Sequence, residues 1–192
     1  MLIQVVGVDS AFSNMGLARA SIDLRTGSIL INSLRLISTE AQAKKVTRKS
    51  SDDLRRAREL HGALSEFAPG SLVAFAEVPH GSQSGRASWA LGIAVGVLAS
   101  CPIPMIQVNA LEVKMATVGK KNASKEEMIN WAISKYPGAD WIRYQGRITN
   151  ANEHLADAVA TIHAGIKTEE YGRMIAMTRA FTQGIRTRRR LT

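Results

Sequence analysis

The chain has 192 residues, 45% of them hydrophobic, and 25 lysines and arginines against 16 aspartates and glutamates, a net charge of +9 on a length that fits one domain with a sizeable core. The lone Cys101 excludes a disulfide framework, the longest apolar stretch (87–100) is shorter than the roughly 20 residues that cross a bilayer, and the opening MLIQVVGVDS has no basic leader, so a soluble, cytoplasmic protein is expected. The positive excess points to a polyanionic partner, nucleic acid before an anionic membrane surface.

The near-continuous apolar run LIQVVGVD (2–9) predicts a buried strand. GLARASIDL (16–24) and SILINSLRLI (28–37), separated by RTGS, predict two more strands of a meander. The segment 44–58 then gathers Lys44, Lys45, Arg48, Lys49, Arg55, Arg56 and Arg58 against Asp52 and Asp53, and the chain closes on IRTRRRLT. Two such clusters in a basic chain fit contact with nucleic acid better than solvated faces. Leu54, Ala57, Leu60, Leu64 and Phe67 recur at helical spacing, which predicts a helix over 51–67 with Ser51 as its N-cap and APG as its stop.

SLVAFAEV (71–78) reads as a short buried strand stopped by Pro79. In the helix expected over 84–100, Ser88, Gly92, Gly96 and Ser100 fall four apart, a small-residue stripe along which another backbone can come close, in the core or at an interface. IPMIQVN (103–109) is the fifth strand; SKEEMINWAISKY (124–136) is a helix opened by a Ser124–Glu127 capping box, and 153–165 is a last helix. The order β-β-β-α-β-α-β-α-α predicts an α/β fold with one mixed sheet flanked by helices.

Asp9 and Glu77 each terminate an apolar strand, at the carboxyl ends where open α/β sheets put their sites. A carboxylate there is costly unless it is paired, hydrogen-bonded or bound to a metal. His154 lies three residues and Glu153 four residues before Asp157, so each shares a helix face with it, away from the apolar face of Leu155, Val159 and Ile162. Taken singly, Asp9 could cap the turn DSAFSNMG, Glu77 could pair with Arg86, and Glu153 could favour the helix dipole. Three segments each delivering an acid to the edge of a buried element, in a basic chain, fit oxygen ligation of magnesium or manganese and phosphodiester chemistry. One cysteine and no HExxH do not suit zinc.

Four blocks in order, VVGVDSAFSNMGLA, VAFAEVPHGSQSGRASWALGIAVGVL, VNALEVKMATVGKKNASKEEM and HLADAVATIHA, resemble the RuvC-type Holliday-junction resolvases of the ribonuclease H-like superfamily, over about residues 2–165. The resemblance implies a ribonuclease H-like fold whose five-stranded sheet has three antiparallel strands first and parallel strands after. It implies a nuclease domain over 1–165, with 166–192 a basic helical or flexible tail of the same domain. Asp9, Glu77, Asp157 and His154 become the metal-binding and catalytic set for two magnesium ions, with manganese as substitute. Lys114 and Lys125 match lysines that serve catalysis, and Glu153 falls outside the catalytic positions.

Metal-assisted hydrolysis with paired nicking of four-way junctions by a homodimer follows, leaving 5′-phosphate ends, in a bacterial cell or a phage-infected host. The sequence departs from the pattern in two places. His80 stands where the family has an aromatic residue that opens the junction, and PGADWIRYQGRITNAN (137–152) is a longer connection carrying Trp141, Arg143, Tyr144 and Arg147. Rings interleaved with arginines suit unpaired bases, while Trp141 and Ile142 could instead cover the sheet edge. DNA contacts are therefore expected from Lys44, Lys45, Arg48, Lys49, His80, Arg86, Lys120, Lys121, Trp141, Arg143 and Tyr144. A broader flap or fork nuclease and a non-catalytic DNA-binding module are the alternatives; an ATPase of the actin type would need further phosphate loops and a second domain.

Overall fold

The computed structural model describes residues 1–42, 48–81 and 84–188, with side chains through Phe181. Its centre is a five-stranded sheet in the order β3-β2-β1-β4-β5. β1 (Leu2–Ser10) pairs antiparallel with β2 (Asn14–Asp23), which pairs antiparallel with β3 (Ile29–Ser38). On its other side β1 pairs in parallel with β4 (Val73–Glu77), and β4 with β5 (Met105–Val108). This is the mixed sheet the apolar runs predict.

Strand alternation divides the core in two. Val5 faces one layer with Phe75, Leu155, Val159 and Ile162; Val6 and Val8 face the other with Leu60, Leu64, Val97 and Leu98. The second layer is built by α1 (Lys49–Phe67) and α2 (Gly85–Ala99), the first by α5 (Glu153–Gly165). α5 lies nearly on the sheet. A Cβ on Gly7 would stand 1.9 Å from the Ala158 carbonyl oxygen, and one on Gly16 would stand 2.0 Å from that of His154. Only glycine admits this approach, and Thr161 Oγ1 adds a hydrogen bond to Phe75 O at 3.2 Å.

Two expectations are corrected here. α1 starts two residues before Ser51, with Arg48 at the N-cap and no side-chain cap, and Asp52 puts a negative charge in the first turn, where it complements the helix dipole. The buried face of its first half is charged: Leu54 is exposed while Asp52, Asp53 and Arg56 are buried. Arg86 grips Asp53 through two hydrogen bonds of 2.5 Å, and the Arg56 guanidinium stacks 3.9 Å over Phe12. On α2 the stripe divides: among the described residues a Cβ at Gly92 or Gly96 would find nothing within 4 Å, whereas Ser100 Oγ lies 2.8 Å from His61 Nδ1 of α1.

Beyond the expected elements, α3 (Ala110–Thr117) precedes α4 (Lys125–Lys135), and a two-stranded hairpin, β6 (Arg143–Tyr144) and β7 (Arg147–Ile148), precedes a 3-10 turn at Asn150–Asn152. α6 (Glu169–Arg188) follows α5, and its Tyr171 packs edge-on against Phe75 with ring centroids 5.5 Å apart. Among the described residues no helix is long and apolar enough to cross a membrane.

Candidate active site

Asp9 and Glu77 are register partners at the carboxyl ends of β1 and β4. Gly16 sits opposite Asp9 on β2, so the residue that lets α5 approach also lies beside the acid. The first turn of α5 therefore comes down on Asp9, with His154 Nδ1 2.6 Å from Asp9 Oδ2. Asp157 follows one turn later, over a cleft of about 220 Å³ that it lines with Glu77, Lys114, Lys125 and Glu153. α3 supplies Lys114 to this cleft, and α4 supplies Lys125 from its first position. Asp9, Glu77, Lys114, Lys125, His154 and Asp157, carried by β1, β4, α3, α4 and α5, are brought to one place.

The electrostatics are those of crowded anions. Burial, followed by the charges of Asp9 and Glu153, pushes Asp157 up to about 7. Burial and then Asp9 also raise Glu77, with His80 and Lys114 opposing. His154 is raised, chiefly by its hydrogen bond to Asp9. Lys125 is raised by Glu153, whose Oε1 lies 2.6 Å from its Nζ. Among the described residues no three acid, histidine or cysteine side chains enclose an ion as they stand, since Asp9 is turned to His154. The donor chemistry nonetheless fits a hard divalent cation: oxygen donors predominate, and two of the carboxylates lack enough positive charge to stay ionised easily.

The expected DNA contacts divide. Lys44 and Lys45 lie outside the described residues; Arg48 and Lys49 are exposed at the start of α1. His80 and Lys121 are exposed, and Lys120 is exposed but paired with Glu127 at 2.6 Å. Arg86 meets Asp53 and not Glu77. Trp141 is corrected from a DNA contact to a core residue: it is 5% exposed and its Nε1 donates to Tyr136 O at 2.8 Å. Arg143 and Tyr144 are exposed on the hairpin. Sequence reasoning missed Asn152, fully buried, whose amide pairs with both backbone groups of Ile142 at 2.8 Å; it reads as an ordinary residue ahead of a helix.

No family model matches the chain. Over 114 residues it is 33% identical to the crossover junction endodeoxyribonuclease RuvC of Gluconobacter oxydans (strain 621H), an alignment covering 55% of this chain and 62% of that protein. The chain thus spans less than two thirds of the length of that curated relative. Among solved structures it is similar to Thermus thermophilus RuvC in complex with a Holliday junction substrate (TM-score 0.60, 19% identity, 84% of this chain and 92% of that one). RuvC of the same organism in a second structure gives a TM-score of 0.58 at 18% identity, over 84% of this chain and 92% of that one. The yeast mitochondrial Holliday junction resolvase gives 0.53 at 12% identity, over 94% of this chain and 85% of that one. By strand order, helix placement and these alignments, the chain has the ribonuclease H-like fold of the RuvC resolvases.

Proposed function

We propose that the chain is a structure-selective DNA endonuclease that resolves four-way junctions by divalent-cation-dependent, paired nicking of phosphodiester bonds, leaving 5′-phosphate ends, with magnesium as the ion and manganese as its substitute. The observation that carries this reading is the gathering of Asp9, Glu77, Asp157 and His154, with two carboxylates pushed upward, beside Lys114 and Lys125 in a chain of net charge +9. The 33% identity to a crossover junction endodeoxyribonuclease supports it.

Asp9, Glu77, His154 and Asp157 would hold the cation, which when bound activates water and neutralises the leaving 3′-oxygen. Lys114 and Lys125 line the same cleft and supply positive charge to the non-bridging phosphate oxygens. Glu153 holds the Lys125 ammonium at the rim until a phosphate competes for it. His154 Nδ1 lies 2.6 Å from Asp9 Oδ2, a contact that orients the ring at the site. Two nicks related by near two-fold symmetry call for a homodimer; the open face of α2 at Gly92 and Gly96, with Trp89 and Val95 exposed on the same helix, supports one.

The test is a panel of four-way junction, flap, fork and duplex, with and without magnesium. Asp9→Asn removes a donor and none of the basic surface, so it should bind junctions and cut none; continued cutting sinks the assignment. Binding without cutting by the native chain makes it a non-catalytic DNA-binding module. One observation favours a broader flap and fork nuclease: exposed His80, in place of a larger ring, follows Glu77. Flaps cut as fast as junctions would select that reading.

A further inference from the structure

We infer that the β6–β7 hairpin is a rigid DNA-contacting finger that stacks an unpaired base at a branch point on Tyr144; this rests on the nuclease reading above. The tip and the root of the hairpin are built differently. At the tip, Tyr144 is 69% exposed, with Arg147 directly across the ladder and Arg143 beside it. Gln145 (φ 49°) and Gly146 (φ 77°) turn the chain in two left-handed residues, a tight connection matched to strand twist. The Arg143 guanidinium donates to Gly146 O at 3.2 Å, which holds the charge next to the turn.

The root is held by one side chain. Asn152 accepts from the Ile142 N–H and donates to Ile142 O, both at 2.8 Å, and donates to Thr149 O at 2.9 Å. Asn152 also immediately precedes Glu153 and His154, so the finger and the first turn of α5 are one piece. An exposed ring with one arginine opposite it and another next to it in the strand offers a π-face and nearby positive charge for phosphate. In the interior of a duplex both faces of each base are stacked, whereas a base opened at a branch point presents a free face, so the ring favours the branched substrate.

The experiment uses the full chain with Asp9→Asn to prevent cutting, and four-way junctions carrying 2-aminopurine at the branch. Binding should change the 2-aminopurine fluorescence. Adding Tyr144→Ala should abolish that change and weaken junction binding about tenfold, with less effect on duplex; Tyr144→Phe should restore both. Equal losses on junction and duplex, or no loss, overturn the finger, as does a Tyr144→Ala chain whose oligomeric state changes in light scattering. If the native chain still cuts junctions, only this inference falls; if it neither binds nor cuts branched DNA, the nuclease reading falls with it.

Discussion

His163, in the last turn of α5 and 8% exposed, should make the chain acid-sensitive by an amount that can be stated. Its Nε2 lies 2.7 Å from the Tyr136 hydroxyl, and Trp131 stands edge-on with ring centroids 5.0 Å apart. Burial first, then the charges of Lys135 and Lys167, push the ring down from 6.5 to about 4. At about 1.4 kcal/mol per pKa unit, protonating it in the folded state costs about 3 kcal/mol. The unfolded chain takes up this proton below pH 6.5 and the folded chain only near pH 4. The stability is therefore complete above pH 6.5 and is lost progressively down to about 4. Asp157 has the opposite sign: raised from 3.8 to about 7, it makes the fold lose stability as pH climbs between those values. The two offset each other in the native profile, so the informative quantity is a difference. His163→Gln keeps an acceptor for Tyr136 and removes the titration. Urea unfolding followed by circular dichroism, in chelator from pH 4 to 7, should show the native chain losing about 3 kcal/mol relative to His163→Gln between pH 6.5 and 4. Parallel profiles would refute the argument.

Gly16→Ala sets a Cβ 2.0 Å from the His154 oxygen and 2.4 Å from its carbonyl carbon, and backbone cannot rotate away. A loss of roughly 1–3 kcal/mol is expected, with the His154 pKa falling back toward its ordinary value in NMR titration; an unshifted His154 would show that α5 does not depend on the glycine. Asn152→Ala leaves the Ile142 N–H and carbonyl without their partner, for roughly 1–3 kcal/mol and faster amide exchange across the hairpin; unchanged exchange would place the rigidity elsewhere. Arg48→Gln with Lys49→Gln should make the slope of log K against log salt shallower by about 1 for each phosphate that is no longer neutralised; an unchanged slope makes them solvated surface.

Much of this architecture is legible because burial writes a simple pattern. Strands buried on both faces read as continuous apolar runs, so β1 and β4 stand out, and Asp9 and Glu77 stand out as the acids that end them. α3 is less legible: of its eight residues only Val113 is buried, so no apolar stripe marks it, although the Asn109–Glu112 capping box does. The first half of α1 defeats a periodicity argument because ion pairs and a stacked arginine take the places of apolar side chains. Trp141 carries no local sign of burial; its anchor is the Tyr136 carbonyl exposed by the end of α4. The depth of the α5 approach is invisible at Gly7 and Gly16 alone, since a glycine in a strand marks a close neighbour without naming it.

Asp9 and His154 meet across 145 residues of chain. During synthesis every strand of the central sheet leaves the ribosome before α5 does, so a nascent chain can hold a finished sheet and still lack half of the donor set. The proposed site, which draws on all four groups, is complete only once α5 has docked.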